Sequence, residues 1–197
     1  ADVNPQTSET RSSMGQMLGC ISVGLREFED DAAYRFIKWD PSQIEWIKDY
    51  LHLHPPHIRQ AFADKLTWID QVVKPVLLTC PKQINYNDAN DYNLLCAWDP
   101  VSLCFKGYGF IDCLDMVYTQ RINELAIACA YLILDLPDHL RGASEILAAY
   151  HQIQPLEDQD LKVLYAQILS RLMISLTVSA INRRDYPENT YLQVTDN

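Results

Sequence analysis

Basic residues are scarce in this chain. Its 197 residues include 16 lysines and arginines against 26 aspartates and glutamates, which gives a formal net charge of −10. Nucleic acids and anionic membranes bind basic surfaces, so we expect no nucleic acid and no membrane as a partner. The acidic balance suits a cationic or metal-bridged ligand, but many acidic proteins carry such charge only for solubility, and that alternative stays open.

Paired cysteines and long apolar runs are also missing. The six cysteines form no Cys-x-x-Cys pair, and most lie within apolar segments, as reduced and buried thiols do. This usage favours a cytoplasmic protein over one built on disulfides or on zinc. No apolar run reaches the ~18 residues that a membrane-spanning helix needs, and no signal peptide is visible at the N-terminus.

The apolar pattern predicts one mainly helical domain. A chain of this length with 48% hydrophobic residues can bury a substantial core. We predict a disordered lead-in over 1–10 and a single domain over 11–197. Gly15 and Gly19 are weak points of the first helix. Apolar residues at helical spacing predict helices near 11–29, 40–51, 58–74, 120–135, 143–152 and 161–183.

Short β-like segments replace the helical pattern after Pro81. They lie near 83–85, 94–98 and 108–111, with a turn at Asp99 and Pro100 between the last two. A small hairpin is therefore expected rather than a large sheet. The predicted fold class is mainly α (α+β), a helical bundle whose small β hairpin carries a polar site.

That polar site lies within residues 84–116. Asp88 and Asn93 are five residues apart on a turn rich in side chains that bond their own backbone, and Asp112 and Asp115 follow an apolar strand. In phosphoryl transfer, a loop carboxylate can accept the proton of the acceptor hydroxyl, while an Asn and a second Asp bind Mg²⁺. Alternatively, these side chains only cap backbone groups, and spacing alone does not decide between the two.

The polar stretch resembles the aminoglycoside-phosphotransferase and choline-kinase-like group of small-molecule kinases. INYNDANDYNLL is similar to the catalytic loop of that family, and GFIDCLDMVYT is similar to its metal-binding segment. The branch with the greatest similarity contains hydroxylysine kinases and the phosphotransferase domains fused to class-III aminotransferases. The resemblance covers nearly the whole chain, through LGCISVGLREFEDDAAYRFIKWD, RINELAIACAYLILD, AAYHQIQPLED, RLMISLTVSAINRR and DYPENTYLQV.

The resemblance implies ATP- and Mg²⁺-dependent phosphoryl transfer to the hydroxyl of a small amino-bearing metabolite, an amino alcohol or a hydroxy amino acid. It implies Asp88 as the catalytic base and Asn93 and Asp112 as the Mg²⁺ ligands. Leu95 and Ile111 would line the floor under the adenine of ATP.

Three further carboxylates lie near these residues in the sequence. Asp91 and Asp115 are implied contacts to a cationic substrate amine, with a capping or solvated role as the alternative. Glu124, at the start of an apolar helix, is expected to tie that helix to the loop rather than to touch the substrate.

Three departures from the family's pattern bear on the site. Tyr86 stands where the family usually has His, although Tyr can still pack and donate a hydrogen bond. Leu114 stands where the family has Gly, so a positive φ there would strain the backbone. The family's smaller β-sheet lobe, with its phosphate-contacting lysine, has no counterpart before residue 83.

The chain is therefore expected to be a kinase-like C-lobe whose N-lobe is absent. The partners to consider are that missing N-lobe, a fused domain and a homodimer. The alternative function is a non-catalytic kinase-like module that binds a ligand or packs against a partner domain.

Overall fold

The computed structural model describes residues 7–134 and 136–189. Helices dominate it and the strands form two small antiparallel pairs, which confirms the predicted mainly α (α+β) class. The α-helices are α1 (Ser8–Gly24), α2 (Pro56–Trp68), α3 (Lys74–Leu77), α4 (Asn123–Leu132), α5 (His139–His151) and α6 (Asp158–Asp185). The strands are β1 (Lys82–Asn85), β2 (Leu94–Asp99), β3 (Cys104–Phe110) and β4 (Val117–Gln120).

Helix α1 begins earlier than its apolar pattern predicts. Thr7 caps it by accepting a hydrogen bond from the backbone N–H of Thr10 at 3.2 Å, so residues 8–10, predicted as lead-in, are helical. Residues 1–6 of the predicted lead-in lie outside the described residues. The helix ends at Gly24 and packs against α5.

The predicted helix near 40–51 is a 3₁₀ helix over Pro41–Leu53, kinked at Gln43 and capped by Asp40. The predicted helix near 58–74 continues through a π turn over Ile69–Val73 into α3. That wider turn accommodates Pro75, which lacks a backbone N–H and would clash with the preceding turn of a regular α-helix.

Helices α4 and α6 form the centre of the hydrophobic core. Helix α6 is the one described helix long and apolar enough to cross a membrane, judged by length and composition alone. In this fold, 67% of its most apolar 18-residue window is buried, so packing against other elements accounts for its composition. Its single buried arginine, Arg171, is considered below.

The strand pairs bring the two polar loops together. The predicted small hairpin is confirmed as β2 and β3, paired from Leu94↔Phe110 to Asp99↔Cys104. Strand β4, which the periodicity missed, pairs antiparallel with β1 and aligns Asn85 with Val117. Because β1 ends and β4 begins at the same end of this pair, the loop after β1 emerges beside the loop before β4.

Candidate active site

The two loops are joined by hydrogen bonds between residues 86–93 and 111–116. The Tyr86 hydroxyl donates to the carbonyl oxygen of Ile111, and the Ile111 N–H donates to the carbonyl oxygen of Asn93 at 3.0 Å. Tyr86 also packs on Phe110, with 5.2 Å between ring centroids. Tyr86 therefore packs and donates as expected of a Tyr at this position, and Asp112 is brought close to Asn93.

Asp88 and Asn93, predicted as base and metal ligand, are in direct contact. Asn93 Nδ2 donates to Asp88 Oδ2 at 2.6 Å, and Arg171 Nη2 donates to Asp88 Oδ1 at 2.9 Å. The Asp88 side chain is 17% exposed, so it stays accessible to a ligand. Because the amide nitrogen of Asn93 donates to Asp88, its amide oxygen is the atom left to bind a cation.

Asp112 is exposed and has a left-handed backbone conformation. Its φ is 61°, and its Oδ1 accepts a hydrogen bond from the Leu114 N–H at 3.2 Å. Leu114 is not among the described non-glycine residues with positive φ, so the strain expected at Leu114 lies two residues earlier. Aspartate tolerates this region better than leucine because its short polar side chain bonds locally.

Asp115 is half-buried, and among the described residues none donates a hydrogen bond to its carboxylate. Burial, followed by the negative charges of Asp88 and Asp112, raises the pKa of Asp115, while Arg171 and Arg35 oppose the shift. A half-buried carboxylate next to other carboxylates favours a cationic ligand.

The remaining predicted site residues lie on the surface. Asp91 is exposed at the start of a short 3₁₀ helix over Asp91–Asn93. Leu95 and Ile111 are 46% and 49% exposed. Tyr108 on β3 and Leu114 in the loop before β4 are further exposed apolar side chains.

Glu124 anchors the loop from beneath. The side chain is 2% exposed at the start of α4, and its Oε2 accepts a hydrogen bond from the Asn87 N–H at 3.2 Å. Asn87 is fully buried with a φ of 65°. Burial raises the pKa of Glu124 to about 7, against the opposing effect of the backbone N–H groups of Asn87 and Tyr86. Glu124 ties its helix to the loop, as expected from its position in the sequence.

Arg171 is the site residue that the sequence reading missed. It lies on α6, 83 residues from Asp88, and is 2% exposed. A signal was present, because Arg171 is the only charged residue between positions 163 and 182. Such an isolated charge in an apolar helix indicates a buried, paired group.

Known proteins similar to this chain are hydroxylysine kinases. The chain is 29% identical over 163 residues to the Xenopus laevis hydroxylysine kinase, a match that covers 80% of this chain and 44% of the relative. It is 31% identical over 163 residues to the Danio rerio hydroxylysine kinase, a match that covers 82% of this chain and 45% of the relative. Over most of its length, this chain is similar to hydroxylysine kinases.

The similarity to hydroxylysine kinases extends over most of the chain. The Mus musculus hydroxylysine kinase is 24% identical over 192 residues, covering 92% of this chain and 51% of the relative. The chain spans about half the length of the curated relatives it matches. No family model matches it.

The oxygen groups of this site are of the type that fits Mg²⁺ with few protein ligands. The Asn93 amide oxygen and the Asp112 carboxylate are hard donors, the type that Mg²⁺ prefers. Within residues 7–134 and 136–189, no cluster of three or more His, Cys, Asp or Glu is arranged to hold a metal. A Mg²⁺ ion here would therefore depend on water and substrate oxygens for the rest of its coordination.

Glu124 makes the stability of this fold depend on pH. Its folded pKa lies above the ordinary 4.5, so ionisation costs the folded state. This cost is absent below the unfolded pKa, grows as pH rises, and is complete above the folded pKa. In Glu124→Gln, unfolding free energy relative to wild type should rise by about 2–3 kcal/mol between about pH 5 and pH 8. Urea unfolding at several pH values measures this difference.

Glu145→Gln is the matched control. Arg11, which bonds Glu145 at 2.6 Å, lowers the pKa of this carboxyl, so Glu145 is ionised in both states across the same pH range. The difference in unfolding free energy between Glu145→Gln and wild type should stay constant across this pH range. A constant difference for Glu124→Gln as well would contradict the prediction.

Proposed function

We propose that this chain forms the large lobe of an ATP- and Mg²⁺-dependent kinase that phosphorylates a hydroxyl on a small amino-bearing metabolite. The observation that carries the proposal is the accessible Asp88 carboxylate, oriented by Asn93, on a loop that lies beside the loop of Asp112. The relatives named hydroxylysine kinase support the reaction class. The Arg171 bond to Asp88 is consistent with an oriented carboxylate.

In this reaction Asp88 orients the acceptor hydroxyl. A carboxylate oxygen accepts more than one hydrogen bond, so the bonds from Arg171 and Asn93 leave room for the hydroxyl. The hydroxyl oxygen attacks the γ-phosphorus of ATP, its proton passes to Asp88, and ADP leaves with the electrons of the broken P–O bond. Most of the rate enhancement comes from positioning and charge stabilisation.

Asn93 and Asp112 would hold Mg²⁺, which neutralises the charge that develops on the phosphates when bound. Leu95 and Ile111, half-exposed on the open face of the hairpin, would form the floor under the adenine. The six cysteines are all free, which supports a cytoplasmic location as a further proposal.

Asp115 is proposed to bind the substrate amine. Asp115→Asn should raise KM for the acceptor by about 10–100-fold, because a charge-assisted hydrogen bond is worth 1.5–3 kcal/mol. Turnover at saturation should change little, since the amine lies away from the transferred group. Asp91→Asn is the comparison, because it removes the other candidate carboxylate. If Asp91→Asn raises KM and Asp115→Asn does not, Asp91 rather than Asp115 binds the amine.

The test of the proposed function is a phosphorylation assay with the full-length protein. ATP and Mg²⁺ are supplied with hydroxylysine, with lysine as the acceptor that lacks the hydroxyl, and with an uncharged alcohol. We expect a phosphorylated product and ADP from hydroxylysine only. ATP turnover that ignores the hydroxyl, or no turnover with any amino alcohol or hydroxy amino acid, would contradict the proposal.

The second candidate is a non-catalytic kinase-like module. It is favoured by exposed apolar side chains, among them Tyr108 and Leu114 at 82% and 77% exposure, since apolar groups left open to solvent can mark a site of association. Calorimetric titration of this chain with Mg-ATP separates the two functions. Micromolar, Mg²⁺-dependent binding argues against the module, and no heat favours it.

A further inference from the structure

We infer that Arg171 is a positioning residue of the site, which sets the orientation of the Asp88 carboxylate from beneath. The inference rests on the proposed function, because it assigns a catalytic role to Asp88. It adds a residue to which the sequence motifs assign no role.

The guanidinium of Arg171 is held at each of its nitrogens by a different group. Nε donates to the Tyr131 hydroxyl at 3.1 Å, Nη1 donates to the Trp39 carbonyl oxygen at 2.6 Å, and Nη2 donates to Asp88 Oδ1 at 2.9 Å. Because three partners hold it in three directions, the planar guanidinium can adopt only one orientation. The bond to Asp88 therefore has a defined direction.

Aromatic rings hold the same group by their faces. The guanidinium carbon lies 4.9 Å from the centroid of the Trp39 ring and 5.3 Å from that of Tyr131. A buried cation gains more from such contacts than an exposed one, and Arg171 is 2% exposed. Lysine carries the charge but has neither the planar face nor the fork of donors.

The anchors of Arg171 are themselves fixed. Asp40, next to Trp39 and 1% exposed, accepts hydrogen bonds from the Ser42 N–H at 3.0 Å and from Asn123 Nδ2 at 2.9 Å. The Tyr131 hydroxyl also lies 2.8 Å from the Ser175 hydroxyl. Displacing the guanidinium would thus require movement of α4, α6 or the residues before the 41–53 helix.

Asp88 is the exposed end of this chain of contacts. Without Arg171, only Asn93 would orient it, and its charge would face Asp112 and Asp115 without a buried cation. Repulsion would then favour carboxylate orientations that face solvent rather than the acceptor. A group misplaced by about 1 Å can lose about 100-fold in rate.

The test uses charge-conserving substitutions in the full-length protein. Arg171→Lys should lower kcat by about 10–100-fold while KM for ATP and acceptor changes by less than about threefold. Arg11→Lys is the matched control, since Arg11 bonds Glu145 at 2.6 Å in another poorly exposed ion pair. Arg11→Lys should leave both kcat and KM unchanged. Equal loss in the control, or an Arg171→Lys kcat within about threefold of wild type, would overturn the inference.

Chemical rescue separates positioning from general support of the fold. Arg171→Ala opens a space between Trp39 and Tyr131, and added methylguanidinium should restore part of kcat. The absence of rescue in folded Arg171→Ala counts against positioning. If Arg171→Ala does not fold, Tyr131→Phe removes one anchor and should lower kcat about fivefold, the effect of one hydrogen bond. An unchanged kcat in Tyr131→Phe would contradict the inference.

Amide hydrogen exchange keeps the two proposals distinguishable. Residues 87–93 should exchange faster in Arg171→Lys than in wild type or Arg11→Lys, whatever the turnover. If wild type phosphorylates no hydroxyl acceptor, the proposed function fails. If wild type is active and exchange in Arg171→Lys is unchanged, only the role of Arg171 is removed.

Discussion

Asp88→Asn should lower the turnover of the full-length protein by at least ~100-fold, the usual contribution of a general base. The amide has nearly the same shape, and its oxygen can still accept the hydrogen bond from Arg171. It has no charge and no basic oxygen to take the proton of the acceptor. Initial rates at saturating ATP and acceptor measure the effect.

The choice of asparagine over alanine matters for this experiment. Asp88→Ala would leave the Arg171 guanidinium buried without its carboxylate, and breaking a buried pair in this way costs about 3–5 kcal/mol. Lost activity would then report lost structure. Asp88→Asn keeps one oxygen acceptor for Arg171, so it should lose less stability than Asp88→Ala in urea unfolding. Asp91→Asn, on the same loop, should keep turnover. If phosphoryl transfer survives Asp88→Asn, Asp88 is not the base.

Gly15→Ala should destabilise the fold by at least ~2 kcal/mol, although alanine favours helices over glycine. A Cβ at position 15 would lie 2.2 Å from the carbonyl oxygen of Ile146 and 3.0 Å from the Cβ of Ala149. The nearest atom is backbone, so no side-chain rotation relieves the clash and α1 must move away from α5. Urea unfolding measures the loss.

Gly24→Ala is the matched control at the end of the same helix. A Cβ there meets nothing within 4 Å, and among the described glycines none has positive φ. The substitution should therefore leave stability unchanged or raise it by up to ~1 kcal/mol. Equal effects at positions 15 and 24 would mean that close packing of α1 on α5 does not govern stability.

Gly15 has a role in the fold that its local sequence does not indicate. From the sequence it is only a weak point in a helix, because propensity depends on the residue itself. In the fold it is the place where two helix backbones approach, and that role depends on residues more than 130 positions away. The predicted helix near 143–152 was correct in type, but nothing in it indicates which helix it meets.

The functional site also combines features that local sequence predicts with features that only the fold sets. Asp88 and Asn93 were predicted together because they are five positions apart on one turn, and they are in contact. Their relation to Asp112 depends on the pairing of β4 with β1, which no local pattern specifies. The strain expected at Leu114 lies at Asp112 because loop geometry, not residue type alone, selects the left-handed position.

The amino-acid sequence by itself determined the mainly helical class, the hairpin, and the carboxylate and amide groups of the loop. These follow from apolar periodicity and short spacings, which act over a few residues. Only the tertiary structure decided that β1 and β4 join the two loops and that Arg171 bonds to Asp88. The physical reason is that burial and pairing bring together residues distant in the chain, and local patterns carry no information about such partners.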